Sequence, residues 1–291
     1  MLRGALEDAS LRVISLGAGV QSTALALMAA HGEIGPMPDC AIFADTQWEP
    51  QIIYDHLNWL EKELPFPVYR VSTGDIRQMV LDSTNGVKTT NNKGLKINAS
   101  LPFHVEGAEE KKLSASMLLR QCTNRFKIQP INQEMRRLLG VGKGKRVPQG
   151  VMVEKWIGIS LDEVHRAKDS RDKWQEHRFP LLERRLSRYD CQLWFEKHYP
   201  DRKLQKSACI GCPYHDNRRW REMKEKDPLS WQDAIEFDTA LRQGTQNPFG
   251  VRTSAYVHGQ LVPLGDVDLS TEQNRGQMDM FGEECEGMCG V

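Results

Sequence analysis

The first third of the chain alternates between short apolar, β-branched runs and longer segments whose apolar positions recur at helical spacing. Strands are predicted at "LRVISL", "CAIFAD" and "VYRVS", and helices at "VQSTALALMAAHG", "PQIIYDHLNWLEKEL" and "DIRQMVLDS". The second of these helices carries an apolar stripe, formed by Ile52, Ile53, Leu57, Leu60 and Leu64. Strands that alternate with amphipathic helices predict an α/β fold, a Rossmann-like parallel sheet with helices on both faces.

The pattern changes further along the chain. Residues 83–112 are polar and predict a long loop or flap, and "RFKIQPINQEMRRLLG" predicts another helix. A basic, Gly-rich loop separates that helix from a fourth strand at "KWIGIS". The chain is then mainly helical to about residue 243, and "SAYVHGQLVPL" predicts a hairpin that turns near Gly259. These changes divide the chain into an α/β core (10–186), a helical, cysteine-bearing subdomain (187–250), and a hairpin with a flexible acidic tail (251–291).

Composition narrows the class of protein. The formal net charge is zero, so no bulk field draws the chain to nucleic acid or to a membrane surface. No apolar run approaches the roughly 20 residues that a membrane helix needs, and "MLRGALEDAS" does not have the pattern of a signal peptide. The seven cysteines are an odd count, which argues against a disulfide framework. We expect a cytoplasmic protein with reduced thiols and no membrane partner.

The turn after the first strand is richer in small and polar residues than a structural turn requires. In "RVISLGAGVQSTAL" the strand ends in two glycines and several hydroxyl or amide side chains, and a helix follows. Ligands bind beyond the carboxyl ends of parallel strands, where such a turn lets backbone N–H groups approach a phosphate at a helix N-terminus. A tight strand-to-helix turn is the alternative. The predicted phosphate-binding residues are Ser15, Gly17, Ala18, Gly19, Val20, Gln21 and Ser22.

This segment resembles the PP-loop of the adenine-nucleotide alpha-hydrolase group, whose members read SGGxDS where this chain reads "SLGAGVQS". Four further segments resemble motifs of the phosphoadenosine-phosphosulfate (PAPS) reductase branch and follow in the same order. They are "FADTQWEPQIIYDHL", "LLRQCTNRFKIQPI", "WIGISLDEVHRA", and "FPLLE" with the later "YPDRKLQKSACIGCPY". The resemblance covers about residues 10–220, and it implies an adenine-nucleotide alpha-hydrolase-like fold.

The resemblance also extends the expected nucleotide site. Asp45 ends the second strand and is expected to contact nucleotide or Mg²⁺, with capping of the next turn as its alternative role. Gly158 and Ser160 lie in the fourth-strand motif and join the predicted site. Three cations are candidate phosphate or sulfate clamps, or else solvated surface charges: Arg120, Lys127 and Arg166. Lys127 and Arg166 are the ones assigned a catalytic role.

The cysteines suggest a metal centre. Cys209 and Cys212 form a CxxC in "CIGCP", which suits a redox pair, half a zinc site or half an iron–sulfur site. The resemblance adds Cys122, where iron–sulfur members carry a cysteine pair, and Cys191 is the candidate for the remaining ligand. These four are predicted to hold a [4Fe–4S] cluster, with structural zinc as the alternative. Cys40 lies in an apolar strand and is predicted to belong to the core.

The acidic C-terminal segment "EECEGMCGV" carries Cys285 and Cys289. A cysteine on a flexible tail can visit an active site, and sulfonucleotide reductases carry a tail cysteine in a similar context. Cys285 and Cys289 are therefore predicted to have a redox or sulfur-carrying catalytic role. An incidental, solvent-exposed tail is the alternative.

Three functions remain open. The first is ATP-dependent activation that forms AMP and pyrophosphate and is coupled to sulfur transfer, as in nucleic-acid thiolation. The second is sulfonucleotide (PAPS or APS) reduction by a tail cysteine with a thioredoxin-like reductant. The third is a non-enzymatic nucleotide-binding module. The expected partners are an adenine nucleotide, a nucleic-acid substrate on local basic clusters, and further copies of this chain in a homo-oligomer.

Overall fold

The computed structural model describes residues 4–84, 101–106, 115–244 and 254–270. Within these ranges the chain has α/β architecture, consistent with a Rossmann-like fold. The strands are β1 Leu11–Leu16, β2 Cys40–Asp45, β3 Val68–Ser72, β4 His104–Glu106, β5 Ala115–Met117, β6 Val153–Ile157, β7 Gln175–Arg178 and β8 Ala255–Tyr256. The α-helices are α1 Val20–Ala30, α2 Gln51–Glu63, α3 Ile76–Thr84, α4 Gln129–Leu138, α5 Pro180–Glu183, α6 Arg188–His198, α7 Asn217–Lys226 and α8 Pro228–Gln243.

Five parallel strands form the main sheet in the order β3-β2-β1-β6-β7. The four strands predicted from apolar runs are all present. The fifth, β7, was not predicted, because its sequence "QEHR" contains no apolar residue. It pairs with β6 at the edge of the sheet.

Helices cover both faces of this sheet, as the alternating pattern predicts. On one face Leu16 and Trp156 share a core with α1, α2 and α6. On the other face Val13 and Val153 pack against Ile131 of α4. The predicted stripe on α2 is largely confirmed: Ile53, Leu57, Leu60 and Leu64 are buried, whereas Ile52 is 48 % exposed.

A smaller antiparallel sheet, in the order β5-β4-β8, lies beside α7 and α8 and contributes to a second core. β4 lies within the segment predicted as a flap, most of which is outside the described residues. The predicted hairpin at residues 254–264 is wrong. Its first arm, β8, pairs with His104 and Val105 of β4, and the chain then continues through turns to a 3-10 turn at Leu264–Asp266.

None of the helices in the described ranges is long and apolar enough to cross a membrane.

Candidate functional site

The sheet order places a crevice at the carboxyl ends of β1 and β6. The chain runs outwards from β1 through β2 to β3 and then returns to the opposite side of β1 with β6 and β7. The order therefore reverses between β1 and β6. In open α/β sheets, ligands bind in the crevice outside the strand ends at such a switch point. The turn singled out in the sequence, residues 17–22, lies at this position.

The turn is held in a defined shape by its own groups. Ser22 Oγ accepts a hydrogen bond from Gly17 N at 3.1 Å and donates one to Gly19 O at 3.4 Å. Ala18 has a φ of 55° and is fully buried, although the left-handed region is unfavourable for a residue with a Cβ atom. Strained backbone of this kind is concentrated at functional sites.

Helix α1 begins directly after this turn. Gly19 is its N-cap residue, and in the described part of the chain no side chain caps the helix. The N–H groups of the first helical turn have no partner within a helix, and together with the helix dipole they favour a bound anion. The residues of this turn are buried and do not lie on the open surface.

Gly158 brings the end of β6 into direct contact with the same turn. A Cβ atom on Gly158 would lie 3.0 Å from Ser22 N and 3.2 Å from the carbonyl carbon of Gln21. Both atoms belong to backbone, which cannot move aside as a flexible side chain can. The predicted site residue Gly158 therefore has a steric role, because it sets the width of the crevice between β6 and α1.

Gln21 ties α1 to the loop that follows β6. Its amide Nε2 donates to Ser160 Oγ at 3.4 Å and to Glu163 Oε2 at 3.3 Å, and its Oε1 accepts from Arg188 at 3.4 Å. Glu163 also accepts a hydrogen bond from Arg166. A glutamine can donate to the buried Glu163 and an ionised aspartate cannot. This contact ties the first turn of α1 to the buried carboxylate of Glu163.

Ser15 lies on β1 immediately before the turn. Its register partners on the neighbouring strands are Ile42 and Ile157. The hydroxyl is buried and has no hydrogen-bond partner among the described residues. Buried hydroxyls normally form hydrogen bonds. The Ser15 hydroxyl, near the end of β1, is therefore a group to which a ligand or a water molecule can hydrogen-bond.

Asp45 has the capping role that was its alternative. Its Oδ1 accepts from Gln47 N at 2.7 Å and from Tyr54 Oη at 2.9 Å. Burial and the neighbouring Asp45 carboxylate both raise the pKa of Tyr54, so the phenol remains a donor at neutral pH. Gln47 has a φ of 59°, so left-handed non-glycine backbone follows both β1 and β2 at adjacent strand ends.

A buried polar cluster around Glu49 lies next to this strand end. Glu49 accepts from Thr46 at 3.5 Å and from Ser207 at 3.3 Å, and Lys127 Nζ lies 3.9 Å away. Cys209 Sγ lies 3.3 Å from Thr46 Oγ1 and 3.9 Å from Glu49 Oε1. Glu49 thus links the motif after β2 to the CxxC loop. Glu49 belongs to the segment "FADTQWEPQIIYDHL", but the sequence alone did not indicate that it accepts hydrogen bonds from several neighbours.

Trp48 holds the CxxC loop in place. Its carbonyl accepts from Ile210 N at 2.9 Å, and a Cβ atom on Gly211 would lie 2.2 Å from the Trp48 ring. His215 fixes the other side of the loop through a 2.9 Å contact between its Nε2 and Cys209 O. Burial, more than the nearby Arg219, lowers the pKa of His215 to about 3, so the ring is neutral.

The four cysteines predicted to bind a metal are divided between two cores. Cys209 and Cys212 belong to the core around α7 and α8, and Cys122 packs against it at the start of a π-helical turn, Thr123–Ile128. Cys191 lies on α6 in the core beneath α1, where burial raises the pKa of its thiol to about 12. Cys40 is buried as predicted.

A cluster or structural zinc needs four ligands that converge. Over the described ranges, the donor atoms of no three cysteines lie within 4.8 Å of one another, the spacing that a single zinc ion needs. Cys191 packs in a different core from Cys122, Cys209 and Cys212. The described group that meets this distance is His31, Glu33 and His198, two of them exposed, at the opposite end of α1 from the turn.

Of the three predicted clamps, Lys127 and Arg166 are buried and Arg120 is half-buried. Lys127 and Arg166 are 8 % and 7 % exposed and lie beside Glu49 and Glu163. The Arg120 guanidinium lies 5.0 Å from the centre of the Tyr214 ring. Arg120 and Arg166 both line a cavity of about 720 Å³ on the α4 face of the sheet. Cys285 and Cys289 lie outside the described residues.

Comparison of the chain with models of known protein families, with curated proteins and with solved structures finds no match.

Proposed function

We propose that the chain binds an adenine nucleotide with its phosphates at residues 17–22 and uses it for ATP-dependent activation coupled to sulfur transfer. The observation that carries this proposal is the crevice at the switch point of the sheet. There the uncapped first turn of α1 meets the end of β6 across Gly158. A phosphate chain would complete the hydrogen bonds of that turn, and Ser15 adds a buried hydroxyl that lacks a partner in the described structure.

The proposed reaction begins when an oxygen of the acceptor attacks the α-phosphorus of ATP. A bond forms between that oxygen and phosphorus, the bond to the β-phosphate oxygen breaks, and pyrophosphate leaves. A sulfur nucleophile then displaces AMP from the activated acceptor. Charge develops on the leaving pyrophosphate, and fixed cations in a water-poor site stabilise such charge best. Lys127 and Arg166, both largely buried, are the candidates for this role.

The sulfur atom has to come from a donor such as sulfide, which displaces AMP and forms the new bond to the acceptor without a change of oxidation state. In the described structure Cys191 lies in a different core from Cys122, Cys209 and Cys212. Cys209, in contact with Thr46 and Glu49, is held as part of the wall of the site. The proposal therefore assigns to this chain the binding of nucleotide and acceptor and the stabilisation of the leaving group.

Product analysis tests this function. The purified protein is incubated with Mg²⁺ and ATP, with and without a mixture of short oligonucleotides and sulfide, and separately with sulfonucleotides and a thiol reductant. AMP and pyrophosphate formed from ATP support the proposal. Release of sulfite from a sulfonucleotide would contradict the proposal and would indicate that the protein reduces sulfonucleotides with its tail cysteines. Nucleotide binding without either product would indicate a non-enzymatic module.

A further inference from the structure

A cavity of about 720 Å³ lies on the α4 face of the sheet. Its wall is formed by α4, by the strands β6 and β7, and by the loop that contains residues 165–172. Pockets for small ligands commonly occupy about 300–1,000 Å³, so this cavity has room for one nucleotide-sized molecule.

The wall of the cavity is strongly basic. Five Lys or Arg side chains line it against two aspartates. Two of these cations, Lys168 and Arg171, are exposed at its rim, whereas Lys155 is fully buried. A cation in the middle of a buried strand is unusual in a parallel sheet, where strands are normally apolar. Cations at both the rim and the floor suit a ligand that carries at least one phosphate.

A pair of amides adds a second kind of contact. Asn132 Nδ2 and Gln175 Nε2 both donate to Asp172 Oδ2, at 3.2 Å and 2.7 Å. A carboxylate accepts and does not donate, so Asp172 fixes the orientation of both amides. Their carbonyl oxygens are buried and accept no hydrogen bond within the described residues. Gln175 is 94 % buried, since its exposed fraction is 6 %. Both residues line the cavity, and a ligand with N–H donors would reach these oxygens once the amide groups turn towards it.

An aromatic ring completes the wall. Tyr214 lines the cavity, and the Arg120 guanidinium lies over its ring at 5.0 Å from the centre. Aromatic rings and guanidinium planes are the groups on which proteins stack unpaired bases. The cavity thus offers cations for a phosphate, acceptors for base N–H groups and a surface for stacking.

Hydrogen bonds link the cavity to the turn at residues 17–22. Arg166 lines the cavity and donates to Glu163, and Glu163 accepts from Gln21 on the first turn of α1. A ligand that contacts Arg166 would therefore be connected to that turn through three side chains in series.

We propose that this cavity binds the acceptor substrate and that the acceptor is a nucleotide unit, with its phosphate at the basic rim and its base towards Asn132 and Gln175. Its role as acceptor rests on the proposed function, but binding in the cavity does not. The shared chemistry is that of a phosphorylated nucleoside, and its source is either a free mononucleotide or one unit of a single strand.

The test is a binding titration without ATP, because ATP is itself a phosphorylated nucleoside and would compete for the cavity. The probe is a fluorescein-labelled oligodeoxycytidylate of about six nucleotides, and cytidine 5′-monophosphate is the unlabelled competitor. The cavity variant is Lys168→Gln with Arg171→Gln. The control variant, Lys143→Gln with Arg146→Gln, removes the same charges from the exposed Gly-rich loop outside the cavity.

The cavity variant should weaken probe binding about tenfold or more relative to wild type, and the control should change it by less than about twofold. Displacement of the probe by the monophosphate assigns the site to a free nucleotide, and no displacement assigns it to a strand. Equal loss in both variants, or an unchanged affinity in the cavity variant, overturns the inference. A protein that binds the probe but shows no heat on ATP titration would contradict the proposed function and leave the cavity assignment standing.

Discussion

At Gly211 the described structure predicts a large effect of a single methyl group. A Cβ atom there would lie 2.2 Å from the Trp48 ring, against about 3.5–4.0 Å for an ordinary carbon contact. In Gly211→Ala the ring must therefore retreat by about 1.5 Å. It has little room, because Trp48 is 4 % exposed, packs against Phe237 at a centroid distance of 4.5 Å, and donates to Asp233 at 2.6 Å.

The magnitude follows from these contacts. Overpacking a core costs about 1–3 kcal/mol, and loss of a hydrogen bond to a charged group costs about 1.5–3 kcal/mol. Gly211→Ala should lower the free energy of unfolding by about 3–5 kcal/mol, out of the roughly 5–15 kcal/mol typical of a folded domain. Urea unfolding measures this loss. Gly265→Ala is the matched control, because its Cβ atom would meet only Ile235 at an ordinary 3.9 Å.

A double-mutant cycle separates the clash from other effects of the methyl group. In a Trp48→Leu background, Gly211→Ala should cost less than about 1 kcal/mol, because the atoms it would meet are gone. If Gly211→Ala costs the same with and without Trp48, or costs less than about 0.5 kcal/mol in the wild type, the clash does not govern this loop.

Three further predictions concern the polar groups around the site. Gln21→Met removes the donor to Glu163 and should lower the free energy of unfolding in urea by about 1–2 kcal/mol. Gln51→Met, at an exposed position, is the control and should cost less than about 0.5 kcal/mol. Equal costs in the two variants would contradict the role of the Gln21–Glu163 hydrogen bond. Glu49→Gln should cost about 3 kcal/mol, because it removes a buried carboxylate that neighbouring donors share, and a neutral result in the same assay would contradict that role. Burial lowers the pKa of His215 to about 3, so the unfolded chain binds a proton below about pH 6.5 that the folded chain does not. Stability is therefore fully present above that pH and falls as the pH drops towards 3, by about 1.4 kcal/mol per pH unit from this group, and His215→Gln should show a shallower decline between pH 6.5 and 5.

The main sheet could be predicted because β1 and β2 are apolar runs that are buried on both faces. β6 is also buried on both faces but contains Glu154 and Lys155, so the apolar residues after them predicted the strand at 155–160, two residues later than it begins. β7 could not be found in this way. It is an edge strand of four polar residues, and its pairing with β6 depends on where the preceding loop places it. The predicted hairpin failed for a related reason, because β8 pairs with residues about 150 positions earlier, and strand periodicity does not specify a distant partner.

The candidate site was predictable where backbone chemistry dominates. Glycines and small residues after a buried strand indicated the turn at 17–22, and its placement at the switch point follows from the sheet order. The side-chain network was not predictable. Glu163 and Lys155 read as ordinary charges in the sequence, and only the packing shows that both are almost completely buried. Cys191 was predicted as a metal ligand because of its position in the sequence before Cys209. In the structure, α6 places its thiol in the core beneath α1.

The central claim is that nucleotide phosphates bind where β6 meets the first turn of α1. Calorimetric titration of ATP into wild type and Gly158→Ala tests it most directly, because that methyl group would lie 3.0 Å from Ser22 N. Gly142→Ala serves as the control, since its nearest contact would be an ordinary 3.8 Å to Lys145, and circular dichroism checks that each variant is folded. The account predicts one ATP per chain, bound about tenfold or more weakly by folded Gly158→Ala and unchanged in Gly142→Ala. Absence of ATP binding by the wild type, or equal affinity in wild type and Gly158→Ala, would contradict it.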